Sequence, residues 1–278
     1  PGDLPEILLS TLAGERAGDS AIIKQICDLL GRMTLAIYLI GLALARGPGS
    51  AADFLNWLQD APLKVLDQGT ERLQNVPLLL AKCATNLSQA AREVLAILSV
   101  LAPSPLEWQV LLIGLGKTEV DIYTPLAELE DYGWIVNIGK TCTIRHILFH
   151  NFISQLKDNL LPGSVLRLAN YYITHARDMM AQGVIGYERL QKSRMHIIAI
   201  LDSCQRQGEW VAAKQLVLAI DEYFDLQGYW AERVIALSTG IDATQALGDV
   251  QMEATLLDKL GSTYRSLGQY DEALKRHE

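Results

Sequence analysis

Apolar residues recur every three to four positions through most of this chain, the period of a helix with one buried face. In the first third the spacing predicts helices at about 4–13, 19–30, 33–46, 50–60 and 75–86. Ser88 to Leu101 continues the pattern, with Ser88 as N-cap and Pro103 and Pro105 behind it. Leu106 to Leu115 and Thr118 to Tyr132 follow as two more helices. Asp121, three residues after Thr118, makes an approximate capping box, and Pro125 should kink that helix or delay its start. At Trp134–Ile138 and Thr141–Arg145 the pattern shortens to strand-like segments around Gly139-Lys140, which predicts a β-hairpin. A further helix is expected over His146 to Asn159. Three helices, a hairpin and a helix is the order of a winged-helix domain.

Beyond residue 200 the pattern becomes periodic at a longer range. Gly208, Gly228, Gly248 and Gly268 stand twenty residues apart, each in a short Gly-containing string such as Gln207-Gly208-Glu209-Trp210. Glycine takes the left-handed conformation that closes a helix, so each marks a helix end. The intervening stretches suit one helix of about 25 Å. Two such helices make a unit of about 40 residues that cannot bury its apolar face alone, so units stack into a solenoid. Leu257, Leu260, Gly261, Tyr264, Gly268, Tyr270 and Ala273 carry the spacing that resembles the tetratricopeptide repeat. Gly261 is expected to allow close helix packing, and Trp210, Tyr223, Phe224, Trp230 and Tyr270 are expected in the solenoid core.

The charge balance changes the reading of the winged helix. The chain has 24 Lys+Arg against 32 Asp+Glu, a net −8. The third helix carries Glu119, Asp121, Glu128, Glu130 and Asp131, which repel phosphates, so no nucleic-acid partner is expected. The four cysteines, at 27, 83, 142 and 204, form no C-x-x-C pair, so neither a zinc ribbon nor a dense disulfide framework fits. Buried, reduced thiols and a cytoplasmic location are expected. The longest uncharged stretch, Met33 to Ala45, is 13 residues, short of the ~20 of a membrane span. A chain running from Pro1 to Glu278, ending inside a helix-like pattern, reads as a segment of a longer protein.

Two motifs suggest chemistry and fall short of it. Gly114-Leu115-Gly116-Lys117-Thr118 resembles the end of a phosphate loop, but the first glycine of Gly-x4-Gly-Lys-Thr falls at Leu111. The same residues fit a helix ending at Gly114 or Gly116. His146 and His150 are spaced like zinc ligands, but Ile147 stands where the zincin glutamate belongs, and Asp158 alone does not complete a site. No local sequence marks a nucleophile, so no catalytic residue, no metal site and no enzyme activity are expected.

The order of parts resembles the STAND class of signalling ATPases, of the NB-ARC type with a tetratricopeptide sensor. Gly31-Arg32-Met33-Thr34-Leu35-Ala36 is similar to the family's Gly-Leu-Pro-Leu-Ala motif, with Thr34 replacing the proline near the adenine. Arg145-His146-Ile147 keeps only the histidine of the string that sets His against the β-phosphate of ADP. Leu87-Ser88-x3-Arg92-x2-Leu95 is similar to the family's winged-helix entry. The resemblance implies a mainly α chain: a helical domain at 1–74, a winged-helix domain with a small β-hairpin at 75–161, and a tetratricopeptide-like α-solenoid at 162–278. It implies Thr34, Leu35 and His146 as nucleotide-contact residues. No cofactor is expected on this chain alone, while the resemblance implies that ADP and ATP bind the full-length protein. It also implies a phosphate-binding core upstream, a protein or peptide ligand on the repeats, and an oligomer when activated. Thr34 and Gly31 read equally as a helix N-cap and the preceding helix-closing glycine. Two other functions stay open: a tetratricopeptide binding scaffold without a nucleotide, and a winged-helix transcription regulator.

Overall fold

The computed structural model describes residues 3–60, 76–117, 122–154 and 160–269. The described residues are mainly α-helical. The helices are α1 (Leu4–Ala13), α2 (Ser20–Leu29), α3 (Thr34–Arg46), α4 (Ala51–Asp60), α5 (Val76–Thr85), α6 (Gln89–Ser99), α7 (Trp108–Leu115) and α8 (Tyr123–Asp131). They continue with α9 (Ile147–Ile153), α10 (Ser164–Ala181), α11 (Val184–Gln207), α12 (Trp210–Gln227), α13 (Trp230–Leu247) and α14 (Val250–Ser266). Extended segments are β1 (Leu106–Glu107), β2 (Ile135–Ile138) and β3 (Thr141–Ile144). The chain forms two compact units, Pro1–Ala96 with Val120–Asn159, and Ile97–Glu119 with Leu160–Glu278. Each unit therefore draws on two separate stretches of sequence, so 97–119, expected beside the hairpin, groups with the repeats.

In the first unit, Leu9, Ile26, Cys27, Ile37, Ile40 and Leu44 from α1, α2 and α3 form the centre of one core. The end of α2 closes with Gly31 at φ +59°. Gly31 N–H donates to Asp28 O and Arg32 N–H to Cys27 O, both at 2.9 Å, a Schellman closure. Gly31 is thus the closing glycine. Thr34, in contrast, is the first residue inside α3, and Met33 occupies the cap position without a side-chain bond. Helix α8 begins at Tyr123, so Pro125 sits in its first turn. There its missing N–H leaves no intrahelical bond unmade, and the proline delays the helix rather than kinking it. The hairpin pairs Ile135 with Ile144 and Ile138 with Thr141, antiparallel. Ser88 caps α6 as expected, its Oγ accepting from Ala91 N–H at 3.1 Å. The expected capping box at Thr118 and Asp121, the end of the 146–159 helix, and Tyr270 and Ala273 lie outside the described residues.

The second unit repeats one device. Gly208, Gly228, Gly248 and Gly268 all have φ between +68° and +74°. After each, the next N–H reaches back to the carbonyl five residues earlier: Glu209 to Cys204, Tyr229 to Phe224, Asp249 to Thr244 and Gln269 to Tyr264, all at 2.9 Å. The helices so cut stack in alternation. Gln205 on α11 bonds Asp242 on α13, and Lys214 on α12 bonds Asp249 at the start of α14. Tyr223 and Phe224 are buried, Trp210 and Trp230 half-buried. Gly261 is buried within α14. Arg167 of α10 fixes α7 by donating to the carbonyls of Ile113 and Gly114. His196 of α11, 2 % exposed, has Nε2 3.2 Å from Pro105 O and 3.0 Å from Ser104 Oγ.

Two predictions come from these buried polar groups. Asp221 and Arg233 are almost fully buried and bonded at 2.7 Å, and Lys259 also pairs with Asp221. Burial pushes the Asp221 carboxyl up, but its bonds to Arg233 and Lys259 outweigh this and hold it below the ordinary carboxylate value. Arg233→Met should cost about 3 kcal/mol in urea unfolding, because it strips a buried charge of a partner. Adding Asp221→Leu should restore most of that loss, and no recovery in the double variant would refute the account. His196 is held below the ordinary histidine value by burial, partly offset by its bond to Pro105. Its neutral form belongs to the fold, while the unfolded chain takes up a proton near 6.5. Stability is therefore full above about pH 6.5 and falls as the pH drops below it. His196→Gln should flatten that fall in melting curves taken between about pH 7 and pH 5.

Candidate functional site

The three residues singled out from the sequence all lie in the first unit. Thr34 is exposed and Leu35 half-buried at the start of α3; His146 is exposed at the start of α9. A helix repeats its face every three to four residues, so Thr34, Tyr38, Leu42 and Arg46 form one stripe along α3. The last three all meet the segment around the hairpin. Arg46 pairs with Asp131 at 2.7 Å. Tyr38 and Leu42 press on Gly133, and the Arg145 guanidinium lies over the Tyr38 ring at 5.6 Å. Thr34 thus stands one turn from the contact that Arg145 makes, and His146 follows Arg145 directly. Leu35 is on the adjoining, more buried side.

The hairpin holds His146 in place from behind. Trp134 is 1 % exposed and packs against Phe149 and Phe152, with ring centres 5.4 and 6.1 Å away, which seats α9 on the strands. Arg145 N–H donates to Trp134 O at 3.0 Å, closing the chain just before the histidine. His146 is itself the N-cap of α9: its Nδ1 accepts from Leu148 N–H at 3.1 Å. Accepting at Nδ1 puts the proton of the neutral ring on Nε2. The side chain therefore presents an N–H donor suited to an anionic oxygen. Tyr38 and Arg145 were not singled out from the sequence as site residues. The only signal for them was position, one turn after Thr34 and one residue before His146.

The other motifs do not build sites. Helix α7 runs unbroken through Gly114 and ends at Gly116 with φ +66°, so the Gly-x-Gly-Lys string is a helix end rather than a phosphate loop. Among the described residues there is no group of three His, Cys, Asp or Glu able to hold a metal ion. All four cysteines are free and buried. Burial pushes the Cys83, Cys142 and Cys204 thiols up to about 12 and Cys27 to about 11, which makes them poor nucleophiles.

The carboxylates of α8 have a structural use. Glu128 accepts from Ser88 N–H and Oγ–H, at 2.6 and 2.5 Å. Glu130 accepts from Asn137 N–H at 3.1 Å and from its side-chain amide at 2.9 Å. With Asp131 on Arg46, all three fasten α8 to its own unit. Glu119 and Asp121 lie outside the described residues. No helix among the described residues is long and apolar enough to cross a membrane.

No family model matches the chain and no curated protein matches it. A solved structure that matches is the crystal structure of a signal transduction ATPase with numerous domains (STAND) protein with a tetratricopeptide repeat sensor from Pyrococcus horikoshii. The two are 15 % identical over 99 % of this chain and 53 % of that one, with a TM-score of 0.37. This chain spans about half the length of that protein.

Gly133 is the tight point of the site. A Cβ there would lie 2.5 Å from Leu42 Cδ1 and 3.0 Å from Tyr38 Cε1, and its φ is +73°. Gly133→Ala should lower stability by about 1–3 kcal/mol in chemical denaturation, from overpacking and left-handed strain together. The Trp134 fluorescence should change with it. A neutral substitution would mean that α3 does not rest on this glycine.

Proposed function

We propose that this chain is the non-catalytic regulatory and sensing arm of a STAND-type signalling ATPase of the NB-ARC kind. In this reading residues 1–74 are the helical subdomain, 75–161 a winged helix used for packing, and 162–278 tetratricopeptide-like repeats that take a protein or peptide ligand. ADP or ATP is held between an upstream phosphate-binding core and the first unit. His146 meets the phosphate end through Nε2–H, with Arg145 adding charge, and Thr34 and Leu35 lie toward the base. Bound ADP supplies the negative charge that makes the closed state depend on His146. A ligand on the repeats shifts the balance to an open, ATP-bound, oligomeric state, which requires it to bind the two states with different affinity.

The observation that carries this reading is the stripe on α3. It sets Thr34 one turn from the Tyr38–Arg145 contact, and the residue after Arg145 is a histidine whose Nδ1 is used locally, which leaves Nε2–H as its donor. The ties of Glu128, Glu130 and Asp131 favour a packing winged helix over a DNA reader. A partner-binding scaffold without nucleotide is the alternative that the same experiment separates.

The test uses the complete gene product loaded with ADP. His146→Ala should speed ADP release by about ten- to a hundredfold, the worth of one hydrogen bond to a charged group. ATP affinity should change far less. Unchanged ADP release, or no nucleotide binding by the intact protein, would leave the scaffold reading in its place. The chain alone should show no ATP turnover; turnover abolished by Lys117→Ala would overturn the non-catalytic assignment.

A further inference from the structure

Helix α12 carries an exposed apolar stripe that its own unit does not cover. Val211, Leu218 and Leu226 are 55, 41 and 57 % exposed. At about 100° per residue, these three share one arc of about 80° with Gln215 and Glu222, which are also exposed. On the neighbouring helices of the same row the exposed mid-helix positions are mostly polar: Asn170, Thr174 and Arg177 on α10, and Thr255, Asp258 and Arg265 on α14. Within that row α10 and α14 each carry one large exposed aliphatic group, Leu166 and Val250, against three on α12.

The stripe has a further property: it reads alike from both ends. Turning α12 end for end about the bond between Leu218 and Ala219 sets Val211 on Leu226, Gln215 on Glu222 and Leu218 on Ala219. We infer that α12 is a seam between two copies of this chain, paired antiparallel about a two-fold axis at Leu218–Ala219. Such an interface is isologous, so each favourable contact occurs twice. Val211 of each copy packs on Leu226 of the other. The Gln215 side-chain amide of each donates to the Glu222 carboxylate of the other, a hydrogen bond to a charged acceptor. No like charges of α12 meet in this register. Asp225, just outside the arc, is tied to Arg233 of its own chain. Parallel pairing would set Glu222 on Glu222, so the charge selects the antiparallel form. This seam is independent of the nucleotide reading and stands or falls without it.

Sedimentation equilibrium of the 278-residue chain tests it, with circular dichroism confirming that each variant is folded. The wild type should show a concentration-dependent dimer. Gln215→Lys creates two ion pairs with Glu222 and should tighten the dimer about tenfold, whereas Gln215→Glu opposes like charges and should weaken it about as much. Val211 and Leu226 lie about 22 Å apart along one helix, too far for a disulfide within a chain. The double variant Val211→Cys, Leu226→Cys should therefore form a covalent dimer on mild oxidation. Neither single variant should, and the four native thiols are buried. A monomer at all concentrations, Gln215 variants that move the constant the same way or not at all, or equal cross-linking by the single variants would each overturn the seam. Capture of an unrelated amphipathic helix by a monomeric chain would assign the stripe to that partner instead.

Discussion

A helix leaves its last carbonyls without partners inside the helix, and this chain meets that demand in one way again and again. A residue in the left-handed region turns the backbone so that the following N–H reaches back to a carbonyl five residues earlier. In the second unit this happens every twenty residues, which fixes helix length and hence which residues can face each other across the stack. In the first unit the same closure at Gly31-Arg32 decides where α3 begins. It repeats at Gly133, where Trp134 N–H reaches Leu129 O at 2.8 Å. The candidate site lies where these two closures bring α3 against the hairpin. Arg32 adds a cost here, as a non-glycine at φ +58°, and its guanidinium is held by Asp3, Glu6 and Asp28.

The helices and their ends were legible because both signals are local. The Gly208 to Gly268 period and the Ser88 cap each depend on a few neighbouring residues. Pro125 was readable as a delay or a kink, and only the backbone around it decides between them. The cap at Thr34 was not readable, because Thr and Met differ little in what they permit at a helix start when no side-chain bond forms. Of the candidate site, Thr34 and His146 were singled out by resemblance, and the contact between their neighbours was not readable. Tyr38 and Arg145 meet only through the fold, more than a hundred residues apart in sequence, and neither belongs to a local pattern.

Charge was the least transparent property. The acids of α8 read as a repelling surface when only composition is known. In three dimensions Glu128, Glu130 and Asp131 each take hydrogen-bond or ionic partners from α6, the hairpin and α3. Negative charge on that helix is therefore spent on assembling the unit. The physical reason is that a carboxylate with good donors nearby is worth more as a fastener than as a field. Both readings disfavour phosphate binding, but they assign different consequences to losing a carboxylate: a softer surface in one case, a loosened unit in the other.

The ties between alternate helices reach beyond adjacent neighbours. Gln205 to Asp242, Lys214 to Asp249 and Lys259 to Asp221 span 37, 35 and 38 residues, each skipping one helix. A simple linear array, coupled only between adjacent members, can fray from its end one member at a time. Here loosening α14 also withdraws a partner from the buried Asp221 on α12, and loosening α13 withdraws one from α11. Unfolding is thus coupled over a longer range than the helical period, and the array behaves as a cooperative block. A force or ligand acting at one end is felt at least two helices away.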